Sequence, residues 1–118
     1  MSNYGNPGDI EQLLVHAKSK CPGDIEGQAK YLQIATQLIK RDYGDEVKVA
    51  KGEWKDYDAV LTMFPSGGCA YVIWELFKYG NCCGVGLEKY NLQNKSFSLL
   101  FTSTNIVTKS IWEEIMNT

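Results

Sequence analysis

The hydrophobic period of this chain changes once, near residue 46. Before that point apolar residues recur at helical spacing, first Ile10, Leu13, Leu14 and Ala17, then Ile25, Ala29, Leu32, Ala35 and Ile39. From Glu46 onward the apolar residues fall into short β-branched and aromatic runs broken by Gly, Pro and Asn, which is the pattern of strands and tight turns. Helices first and strands after predict an α+β fold in which the helices cover one face of a sheet, a two-layer sandwich.

Both helices are announced by the same five residues, Pro-Gly-Asp-Ile-Glu, at 7–11 and again at 22–26. Proline favours the first helical position, and acids in the first turn complement the positive end of the helix dipole. Asn6 suits the first N-cap and Cys21, less well, the second. The second helix is expected to end near Tyr43, where Lys40 and Arg41 fit a C-terminal turn and Gly44 can adopt a left-handed closing conformation. The repeat is too short to mean duplicated domains.

Five strands are expected, at 46–51, 58–64, 69–78, 82–90 and 96–102. The turns between them fall at Gly52–Tyr57, Pro65–Gly68, Gly80-Asn81 and Asn91–Lys95. Such short connections favour an antiparallel meander. Ala70, Ile73, Trp74 and Phe77 would also fit a helical stripe, and the aromatic and β-branched content of 69–78 decides for a strand. A short C-terminal helix closes the chain. Ser110 and Glu113 have capping-box spacing, and Ile111, Trp112, Ile115 and Met116 supply an apolar face.

At 118 residues the chain has the size of one domain with its own core, spanning 1–118. No run approaches the length of a membrane span, and Met1–Gln12 is polar, unlike a signal peptide. Cys21, Cys69, Cys82 and Cys83 are spaced irregularly, against a secreted disulfide framework. These features predict a cytoplasmic chain without membrane association. The formal net charge of −2 lacks the basic footprint of nucleic-acid binding. Acidity concentrates between Asp42 and Asp58, where Asp42, Asp45, Glu46, Glu53, Asp56 and Asp58 outnumber Lys48, Lys51 and Lys55.

Three catalytic constellations merit weighing. His16, the only histidine, would have to meet Cys69 through the fold to make a nucleophilic pair. A helix beginning at Cys69 would lower that thiol's pKa, whereas a Gly67-Gly68 hairpin turn would make Cys69 an ordinary strand residue. Asp58, Glu75 and Lys78 have the residue types of a divalent-metal nuclease. On a regular strand, however, Glu75 and Lys78 point to opposite faces unless a bulge intervenes. Adjacent Cys82 and Cys83 should likewise point one inward and one outward, and with no second ligand pair they do not predict zinc.

Gly84-Val85-Gly86 lacks the further glycine, helix and Lys-Ser/Thr pair of a phosphate loop, so no cofactor is expected. Glycines there point instead to a bulge or a close backbone approach.

The remaining feature is Glu53-Trp54-Lys55-Asp56-Tyr57-Asp58, with two large aromatics among three carboxylates in an expected loop. Either Trp54 and Tyr57 fold back onto the sheet, or they form a recognition surface with Glu53, Asp56 and Asp58. The second reading predicts a small acidic binding protein, an inhibitor or immunity-type neutraliser of a basic toxin or nuclease, acting by occlusion. A small enzyme built on Cys69 and His16, or on Asp58 and Glu75 with a metal, is the alternative. A small-ligand domain with an aromatic pocket is a third.

Overall fold

Residues 10–117 are described by a computed structural model, in which helix α1 (Ile10–Lys20) and helix α2 (Ile25–Asp42) precede a five-stranded sheet. The strands are β1 (Lys48–Trp54), β2 (Tyr57–Ser66), β3 (Cys69–Lys78), β4 (Asn81–Asn91) and β5 (Ser96–Thr102), followed by helix α3 (Ile111–Met116). The sheet is an open antiparallel meander in the order β1-β2-β3-β4-β5. The expected α+β architecture is therefore present, and 69–78 is a strand throughout.

Local chemistry sets the helix ends differently from the expectation at two points. Asp24, not Cys21, caps α2, its carboxylate accepting from the Gly27 N–H at 3.0 Å. Pro22 and Gly23 instead form the inter-helix turn, Gly23 with a φ of +73°. At the other end Tyr43 closes α2 by donating its N–H to the Ile39 carbonyl, and the chain runs on through a 3-10 turn at Gly44–Glu46 without a left-handed Gly44. Asn6 and Pro7 lie outside the described residues. The Ser110 cap of α3 forms as expected, Oγ accepting from the Glu113 N–H at 2.9 Å.

The hairpin between β1 and β2 is much tighter than the expected six-residue loop. Strand pairing runs to Trp54 opposite Tyr57, leaving Lys55-Asp56 as a two-residue turn with Lys55 at φ +54°. The turn between β3 and β4 is also of two residues, Tyr79-Gly80, both with positive φ (+53° and +80°), the conformation that matches strand twist.

Two cores flank the sheet. On the upper face α1 and α2 lay Ile10, Leu13, Ala17, Leu32, Ala35 and Ile39 over Phe64, Tyr71, Ile73, Leu87 and Phe101. This is the helix-on-sheet sandwich. The lower face carries Trp54, Ala59, Leu61, Val72, Trp74 and Leu76, and α3 covers it with Ile111 and Trp112. The third helix thus lies opposite the other two instead of joining them. The reason is the composition of β3, where Tyr71 through Leu76 are all buried, so the sheet needs cover on both faces.

The glycines of β4 serve this packing. A Cβ on Gly86 would lie 2.0 Å from Cζ2 of Trp74, because the indole sits flat against the neighbouring backbone. Gly84 adjoins a bulge, at which Phe77 pairs with Cys82 while Leu76 pairs with Gly84.

Candidate functional site

In a meander, alternate turns share one end of the sheet, so the Lys55-Asp56 and Tyr79-Gly80 turns are neighbours. The β2–β3 register sets Asp58 directly opposite Phe77. Between the two turns lies an open groove of about 460 Å³ lined by Asp56, Asp58, Phe77, Lys78 and Tyr79.

The structure divides the predicted recognition residues by chemistry. Trp54 is buried in the lower core, where its indole N–H donates to the Glu114 carboxylate at 2.5 Å. Tyr57 is half-buried and stacks on Trp54 with ring centroids 6.3 Å apart. Neither aromatic projects into solvent as an anchor, because strand alternation turns both toward the apolar face. Glu53, Asp56 and Asp58 remain exposed. Glu53 and Asp58 are also directly paired across β1 and β2, a like-charge pair that opposes folding.

The lysines near this end are directed elsewhere. Lys55 Nζ sits 4.5 Å from the Trp54 ring centroid and Lys78 Nζ 5.3 Å from that of Tyr57. Lys78 nevertheless also lines the groove, beside Asp56 and Asp58.

Tyr79 is the residue that sequence reasoning missed. It is 92% exposed, the most exposed large hydrophobic residue described, and it holds a left-handed backbone that disfavours a bulky side chain. The available signal was the dipeptide Tyr79-Gly80 between two strand-like runs, which suits a two-residue hairpin and puts the aromatic at its tip.

The catalytic constellations do not assemble. Cys69 opens β3 after the Gly67-Gly68 turn, half-buried against the upper core, and gains no helix dipole. His16 is exposed on α1 outside its buried stripe. Glu75 is 5% exposed and accepts from Gln33 Nε2 at 2.9 Å, whereas Lys78 is engaged with Tyr57 on the other face, as a regular strand dictates. Among the described residues no group of three or more His, Cys, Asp or Glu side chains is placed to hold a metal ion.

Cys82 and Cys83 are both exposed, contrary to the expected inward and outward pair, because the bulge interrupts strand alternation at this point. They line a cleft of about 280 Å³ under α2, together with Glu26, Lys30, Gln33 and Ser103. Gln33 Nε2 donates to Cys82 Sγ at 3.3 Å as well as to Glu75. Burial pushes the Cys82 thiol pKa up, and neighbouring Glu75 pushes in the same direction, against the opposing hydrogen bonds with Gly84 and Gln33. That thiol is a poor resting nucleophile.

No protein-family model matches the chain, no curated protein matches it in sequence, and no solved structure matches its fold. Among the described residues no helix is long and apolar enough to cross a membrane.

Proposed function

We propose that the chain is a protein-binding domain that neutralises a basic partner by occluding its active site, in the manner of an inhibitor or immunity protein. The observation that carries this reading is Tyr79, an almost fully exposed aromatic on an unfavourable backbone beside the groove of Asp56 and Asp58. The hairpin accounts for the left-handed backbone, as it does at Lys55, but not for a bulky exposed aromatic at a position that glycine or asparagine would fill without strain. Tyr79 would enter the partner as the anchor, a role in which tyrosine is enriched. Glu53, Asp56 and Asp58 would meet cationic groups and speed encounter.

The anchor therefore moves from Trp54 and Tyr57 to Tyr79, while the carboxylates keep their role. The test is affinity capture from the native host lysate at low and high salt, with wild type beside Tyr79→Ala/Asp58→Ala. Salt-sensitive capture of one basic protein by wild type, lost in the folded variant, supports the reading. Capture that the variant retains overturns this surface.

A further inference from the structure

Cys82 and Cys83 would point to opposite faces in an unbroken strand. In β4 a bulge interrupts that alternation, with Cys83 as its extra residue: Phe77 pairs with Cys82 and Leu76 with Gly84. Both side chains are free thiols, both residues are exposed, and both line the cleft beneath α2. We propose that Cys82 and Cys83 form a bidentate dithiol site for a soft monovalent metal ion, copper(I) being the ion of that class.

The donor set selects the ion. Hard cations such as calcium require six or more oxygens and a structural zinc site requires four ligands, and neither set is present among the described residues. Copper(I) is soft, prefers thiolate sulfur and is satisfied by two ligands. The surroundings hold both sulfurs in place. Gln33, itself anchored on buried Glu75, donates to Cys82 Sγ, and the Cys83 thiol donates to the Asn81 carbonyl at 3.3 Å. The site is built so that metal binding replaces two S–H bonds with two S–Cu bonds. The two protons pass to solvent, no electron is transferred, and the bis-thiolate complex carries one negative charge. Lys30 and Glu26 both line the cleft, so their charges offset each other and the complex keeps its single negative charge.

The experiment is an anaerobic titration of the reduced full chain with copper(I) against a chromophoric copper(I) chelator, for wild type, Cys82→Ser, Cys83→Ser and the double variant. The expected result is one ion per chain with a near-ultraviolet thiolate-to-copper band. Losing one arm of the chelate should weaken binding by about 100-fold, and losing both should abolish it. Circular dichroism checks that the exposed substitutions leave the fold intact. No uptake by wild type overturns the proposal. Equal uptake by the double variant also does so, since it moves the ion to Cys21, Cys69 or methionine, and half an ion per chain with dimer formation shows bridging instead of chelation.

Discussion

Glu88, fully buried in β4, accepts a hydrogen bond from the backbone N–H of Ile111, the first residue of α3, at 2.8 Å. The Ser110 hydroxyl donates to the other oxygen of the same carboxyl, and the Trp112 N–H lies 3.4 Å from the first. Ser110 in turn accepts from Glu113. A carboxyl in the middle of the sheet thereby ties down the helix that closes the lower core.

This arrangement makes stability depend on pH with a definite sign. Burial raises the Glu88 pKa, and the hydrogen bonds from Ser110, Ile111 and Trp112 offset only part of that rise. The folded chain therefore holds the proton to higher pH than the unfolded chain, whose carboxyl titrates near about 4.3. The stability due to this group is fully present below that value and is lost as pH rises through the raised folded pKa. Glu88→Gln removes the titration while keeping an acceptor for Ile111, so the difference in urea stability between it and wild type should shift in favour of the variant from pH 4 to pH 7. A difference that stays flat, or runs the other way, would remove the assignment.

Gly86→Ala tests the contact with Trp74. The added methyl has no room beside the indole, so the variant should lose about 3 kcal/mol through overpacking. Trp74→Leu in the same chain should recover part of that loss, giving a coupling that a double-mutant cycle in urea would detect. Additive losses would show that the two residues do not oppose each other.

Tyr79 should trade stability against binding. Replacing it with Gly relieves a left-handed backbone and should stabilise the fold by about 1 kcal/mol. The same variant should lose at least about 30-fold in affinity for the captured partner if the tyrosine is a hot spot worth about 2 kcal/mol. Chemical denaturation and a binding titration on one preparation measure both, and unchanged affinity would relegate Tyr79 to an idle surface residue.

Trp54 should behave as a core residue. Trp54→Phe keeps a ring but removes the N–H bonded to Glu114, and should cost about 1 to 2 kcal/mol with partner capture intact. Trp54→Ala should cost about 3 to 5 kcal/mol. Loss of capture in a fully folded Trp54→Phe would return Trp54 to the recognition surface.

Much of the fold was legible because period is a local property. The stripes at Leu13, Leu14 and Ala17 and at Ala29, Leu32, Ala35 and Ile39 are buried as their spacing implies, although Ile25, expected to open the second stripe, is exposed, and β3 and β5 have the expected bounds. Ser110 caps α3 because a capping box needs only three residues of context. The carboxylates of the candidate surface were legible too, since charged side chains near a turn stay in water.

What the chain determined by itself was thus the order and type of its elements, the faces the helices bury and the acidity of one hairpin. Only the tertiary structure decided that α3 lies opposite α1 and α2, that Trp54 points inward while Tyr79 points outward, and that Cys82 and Cys83 share one cleft. Each of those outcomes depends on what a residue meets across the sheet. Trp54 pairs with Tyr57 above α3, Glu88 meets the α3 terminus, and the bulge that brings the cysteines together exists only against Leu76 and Phe77. A one-residue change in strand pairing reverses a side chain's face, and local sequence period does not specify the partner.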